Sequence, residues 1–150
     1  MAHIAAVRVD RDALDVLDAT VAGMGGDELA QDALFYVLEA INKNAYHHAD
    51  TSNTLVAWEY FIHHFPEAEQ LPEAMEKRNQ LAYEQAMGKY TYESFKDFME
   101  KYPNAEQVTD ARRLYESLLY KRLTDGGSWL AYKKFMDRYP ESPYFEDALK

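Results

Sequence analysis

FMEKYPNAEQ, residues 98–107, decides the fold. Its apolar side chains keep helical spacing until Tyr102-Pro103. There proline removes a backbone donor and disfavours α geometry for the residue before it, so a predicted helix must stop near Tyr102. The same punctuation stands in FIHHFPEAEQ, residues 61–70, and in FMDRYPESPY, residues 135–144, each copy 37 residues after the last. In register the copies give Trp58/Phe95/Tyr132, Phe61/Phe98/Phe135, Ile62/Met99/Met136, Phe65/Tyr102/Tyr139, Pro66/Pro103/Pro140 and Ala74/Ala111/Ala148. Tyr46, Tyr83 and Tyr120 extend the series, and Val37 under Ala74 marks a degenerate earlier copy. Self-similarity at this period marks stacked supersecondary units, each dependent on a neighbour to bury its apolar face.

Within a copy, Trp58, Phe61, Ile62 and Phe65 fall at i, i+3, i+4 and i+7, one stripe of a helix rather than alternate faces of a strand. Each copy therefore predicts a first helix, a Tyr/Phe-Pro corner and a longer second helix. The second helices are expected from Glu69 to Met87 and from Glu106 to Leu123, with Pro72 in a first turn that has no acceptor to lose. Gly88 and Asp125-Gly126-Gly127 serve as stops. Thr91 and Ser128 are expected N-caps, with Ser52 or Asn53 in the same role for a helix opening near Thr54, and Ser142-Pro143 starts the last helix. Upstream, a helix is expected from Asp10 to about Ala22, then a break at Gly23-Met24-Gly25-Gly26, then a helix from Asp27 to about His48. Short connections make consecutive helices antiparallel neighbours. The whole is one all-α domain over residues 1–150, divided into a degenerate repeat 13–49, repeats 54–90 and 91–127, and a partial repeat 128–150.

Composition narrows the function. A net charge of -10 opposes nucleic-acid binding, which rests on Lys and Arg neutralising phosphates. No apolar run approaches the roughly 20 residues of a membrane span, so membrane insertion is not expected. The absence of cysteine removes disulfides and thiolate chemistry. His47-His48 and His63-His64 raise a metal site, but adjacent helical residues point about 100° apart and do not chelate as an i, i+4 pair does. Gly23-Met24-Gly25-Gly26 lacks the Lys-Ser/Thr of a phosphate loop. Catalytic residues, metal and cofactor are accordingly expected to be none.

Residues 54–150 resemble the tetratricopeptide repeat, with Trp58, Phe61, Phe65 and Ala74 at the family's fourth, seventh, eleventh and twentieth positions, and residues 13–49 match loosely. The Tyr/Phe-Pro corner is similar to variant repeats of bacterial cell-envelope proteins. The family's small eighth residue is replaced by Ile62, Met99 and Met136, which should hold the paired helices further apart. The resemblance implies a right-handed α-α superhelix and a non-enzymatic scaffold that binds a protein or peptide. The implied groove is lined by first-helix residues beside the packing stripe: Val56, Glu93 and Leu130; Glu59, Lys96 and Lys133; Tyr60, Asp97 and Lys134; His63, Glu100 and Asp137. Lys96 and Lys133 match the variant that grips a peptide carboxylate, whereas acidic residues occupy its Asn positions. Two alternatives stand beside this reading. One is a self-associating module of an envelope complex, a homo-oligomer formed through the open C-terminal end. The other is a histidine-dependent metalloenzyme. The compartment is either periplasm or cell envelope, with an export signal removed, or cytoplasm.

Overall fold

The computed structural model describes residues 26–150. The expected Asp10–Ala22 helix and the start of the glycine run lie outside the described residues. Seven helices follow, with no strand among the described residues: α1 Gly26–Ser52, α2 Leu55–His64, α3 Leu71–Lys89, α4 Tyr92–Lys101, α5 Val108–Leu123, α6 Trp129–Arg138 and α7 Phe145–Ala148. The chain divides into two compact units, Met1–Arg78 and Asn79–Lys150, with the boundary inside α3.

The corner forms as the proline spacing predicts. α2, α4 and α6 end one residue before Phe65, Tyr102 and Tyr139, whose backbone N–H groups donate to Phe61, Phe98 and Phe135 at 2.9, 2.9 and 2.8 Å. Three residues on, the N–H groups of Ala68, Ala105 and Ser142 donate to those corner carbonyls at 3.1, 3.1 and 3.0 Å. Leu71, Val108 and Phe145 then donate to Ala68, Ala105 and Ser142, all at 3.1 Å. Each corner is thus a pair of linked turns that satisfies the backbone groups the proline interrupts. Three features move the second helices later than expected. α3 begins at Leu71 rather than Glu69, α5 at Val108 rather than Glu106, and Ser142-Pro143 belongs to the turn. The Ser142 hydroxyl accepts from Tyr144 N–H at 3.2 Å, and α7 starts only at Phe145. Pro72 does lie in the first turn of α3.

Helix starts repeat as regularly. Thr54, Thr91 and Ser128 each sit in extended backbone and accept from the amide three residues on, Ala57, Ser94 and Ala131, at 3.1, 3.1 and 3.2 Å. Thr91 and Ser94 close a reciprocal capping box. Neither Ser52 nor Asn53 caps α2: Ser52 is still helical, and Asn53 turns left-handed at φ 43°. Gly88 likewise does not stop α3, which runs on to Lys89 before Tyr90 takes φ 51°. Asn53, Tyr90 and Gly127, at φ 62°, occupy one repeat position, a left-handed residue directly before each cap.

In the first unit, α1 and α2 run antiparallel. Tyr46, two turns before the end of α1, packs on Trp58 and Phe61 of α2 at centroid separations of 5.4 and 5.7 Å. Trp58 is fully buried, and Lys77 Nζ lies 5.8 Å above its ring while pairing with Asp50 at 3.1 Å. In the second unit, Tyr83 of α3 meets Phe98 of α4 at 5.5 Å, Tyr120 of α5 meets Phe135 of α6 at 5.1 Å, and Tyr92 of α4 meets Tyr115 of α5 at 6.4 Å. Phe61, Phe98 and Phe135 are at most 3% exposed. Each also packs on its own corner ring, Phe65, Tyr102 or Tyr139, at 5.5, 5.6 and 5.5 Å. Ala74, Ala111 and Ala148 are buried where the second helices begin, where a methyl side chain permits close helix approach.

Candidate functional site

The residues beside the packing stripe of each first helix are turned outward because the stripe itself is consumed by the core. In the first unit, α2 presents Val56, 79% exposed, together with Tyr60 and His63. Tyr60 stacks on His64 with centroids 3.9 Å apart and planes 22° apart, and His64 Nδ1 lies 2.9 Å from the Tyr60 carbonyl oxygen. His63 meets His64 edge-on at 5.0 Å. Glu59 is half-buried and lies 3.9 Å from Arg78 Nε.

In the second unit, α4 and α6 carry the equivalent residues. Lys96 lies 3.9 Å from Glu100, and Lys133 lies 2.9 Å from Asp137, so the same i, i+4 ion pair recurs in both helices. The structure therefore joins four of the twelve expected groove residues into two pairs. Glu93 accepts from the Tyr92 hydroxyl, and this bond, with the Glu93 charge, holds the Tyr92 phenol pKa above its ordinary value. Asp97, Lys134 and Leu130 are exposed, as is Trp129 at 74%. A lysine already neutralised by its own helix offers less to a peptide carboxylate than an unpaired one, so the pairs weaken the case for a carboxylate clamp. What the outward residues offer instead is mixed charge, with Val56 and Tyr60 exposed on α2 in the first unit and Trp129 and Leu130 exposed on α6 in the second.

His47, His48, His63 and His64 are all exposed, and among the described residues no group of three or more His, Cys, Asp or Glu is placed to hold a metal ion. No described helix is long and apolar enough to cross a membrane.

Sequence reasoning aligned Tyr46, Tyr83 and Tyr120 but missed their electrostatic partners. Burial, the largest cause, raises the pKa of all three phenols. Glu73 adds to this at Tyr46 through a hydrogen bond and its charge, Asp110 at Tyr83, and Asp147 at Tyr120 after the larger effect of Tyr132. Glu73, Asp110 and Asp147 share one repeat position in the first turns of α3, α5 and α7, where carboxylates also suit the helix N-terminus. The signal was present as a constant offset of 27 residues from tyrosine to acid. No protein-family model matches the chain, and no curated protein matches it.

Proposed function

We propose that the chain is a non-enzymatic protein-interaction scaffold that binds a peptide or protein through the outward faces of α2, α4 and α6. One observation supports this most: each first helix has the same cap, core ring and corner, while the outward positions differ from copy to copy. Val56, Glu93 and Leu130 share one such position, and Tyr60, Asp97 and Lys134 another. A constant frame that carries variable exposed side chains suits recognition rather than chemistry. The finer reading, a right-handed superhelix of tetratricopeptide-like hairpins serving a bacterial envelope assembly, belongs to the same proposal and rests on the sequence register.

Crosslinking of the full chain followed by partner capture, repeated with Lys96→Glu and Lys133→Glu together, tests it. Reversal replaces two favourable i, i+4 pairs by repulsive ones at a cost of only a few tenths of a kcal/mol each, so the fold survives. Capture is expected to be lost. Retained capture by a folded double variant would overturn the assignment to this face.

A further inference from the structure

The first corner leaves a space its own side chains do not fill. Between α1 and the turn from α2 into α3 lies a cleft of about 460 Å³. On α1 it is lined by Phe35, Leu38 and Ile41 at helical spacing, flanked by Glu39 and Asn42, and the apolar strip continues onto Phe65 and Pro66 of the corner. Phe35 is 60% and Leu38 50% exposed, far more than a core-facing stripe leaves open. Around this floor stand Glu39, Glu67 and Glu69, and none of the described lining residues is Lys or Arg.

A second cleft, of about 280 Å³, occurs in the other unit at the same repeat position. Tyr115 and Glu116 occupy the places of Ile41 and Asn42, and Tyr139-Pro140-Glu141 those of Phe65-Pro66-Glu67. The corner architecture therefore generates the hollow, and the side chains give each copy its character. Arg138 stands where the first cleft has His64, giving the smaller cleft a fixed cation beside Glu116 and Glu141. The larger cleft has carboxylates with no such compensation.

We propose that the first-corner cleft docks a basic peptide segment that carries one large apolar anchor residue. The anchor occupies the floor formed by Phe35, Leu38, Ile41 and Phe65, a volume in the range of ordinary ligand pockets. Lys or Arg residues flanking the anchor meet Glu39, Glu67 and Glu69, a match of sign that also speeds encounter with a chain of net charge -10. This site adjoins the outward face of α2 through His64, which lines the cleft and stacks on Tyr60, but it contains none of the twelve outward residues, so its failure would leave that reading standing.

The test uses the full chain and short fluorescent peptides read by anisotropy: one of Lys and Leu with a single Phe, one with Glu in place of Lys, and one with Ser in place of Leu and Phe. Saturable binding is expected only for the first. Glu39→Lys, Glu67→Lys and Glu69→Lys together should weaken it at least about tenfold, as three reversed rim charges of modest individual worth combine. Leu38→Asp should abolish it. Glu116→Lys with Glu141→Lys, in the smaller cleft, and Lys96→Glu with Lys133→Glu should leave it within about twofold. Equal binding of the acidic or anchor-free peptide, or unchanged affinity in the triple variant, would overturn the proposal. So would a dimer in sedimentation that Leu38→Asp dissolves, since the cleft would then be covered by a second copy.

Discussion

Trp58 Nε1 donates a 3.0 Å hydrogen bond to Asn53 Oδ1, tying a fully buried side chain of the first unit to the left-handed residue that turns α1 into α2. Asn53 does two jobs there. It accepts a bond that the buried indole requires, and it tolerates φ 43° better than most residues. Asn53→Ala removes both and is expected to cost about 2–4 kcal/mol in urea unfolding followed by tryptophan emission. Asn53→Gly keeps the backbone freedom and loses only the bond, so it should fall between Ala and the parent.

Tyr83 meets Phe98 at an interplanar angle of 60°, the edge-to-face geometry that aromatic pairs favour. Phe98 is 3% exposed and packs on Tyr83 and Tyr102 at once. Phe98→Ala should therefore destabilise by about 3–5 kcal/mol through lost burial and the cavity left behind. Phe61→Ala should cost a similar amount in the first unit. Equilibrium denaturation measures both.

Two glycine substitutions should move stability in opposite directions. Gly88 lies within α3 and an added methyl meets nothing within 4 Å, so Gly88→Ala should raise stability by about 0.5–1 kcal/mol through helix propensity. Gly127 is equally uncrowded but sits at φ 62°, so Gly127→Ala should lower stability by about 1–2 kcal/mol from backbone strain alone. Thermal melts of the two variants separate the effects.

Alkaline pH should unfold the chain through its repeated tyrosines. Burial raises the phenol pKa of Tyr46, Tyr83 and Tyr120 when folded, so the folded state holds those protons more tightly than the unfolded state does. Their contribution is complete below the ordinary value of 10.0 and is lost as pH rises from there through the raised values. Melting temperature should fall above about pH 10, and tyrosinate absorbance from these rings should appear together with unfolding. Tyr46→Phe, which has no proton to lose, should reduce the alkaline sensitivity.

The corners and the first-helix caps at Thr91 and Ser128 were legible because they are local, whereas the second helices start two residues later than expected, at Leu71 and Val108. Proline acts on its own nitrogen and on the residue before it, and Thr91 and Ser128 cap through bonds only three residues long. Helix ends were less so. Gly88 looked like a stop, yet the turn falls two residues later, where Tyr90 N–H bonds the Ala86 carbonyl at 2.9 Å and the Tyr90 ring lies 5.9 Å from Phe95. Tertiary packing at that position overrides the preference of glycine for left-handed backbone. Among candidate site residues, the outward positions followed from helical period, but their pairing did not. Lys96 with Glu100 follows from spacing, whereas Glu59 beside Arg78 joins two helices. The cleft was hidden for the same reason: one side of it comes from α1, where the repeat is most degenerate, and the other from the corner.

The contact between the tyrosine before each left-handed turn and the phenylalanine after it is the structural unit from which the faces and clefts follow. Aromatic NOE spectroscopy on the full chain, with tyrosine and phenylalanine rings selectively labelled, measures that contact directly. Cross-peaks are expected for Tyr46 with Phe61, Tyr83 with Phe98 and Tyr120 with Phe135, the centroids being 5.7, 5.5 and 5.1 Å apart. A folded chain that shows one or two of these cross-peaks but lacks the third, with its rings assigned, would contradict a thrice-repeated hairpin.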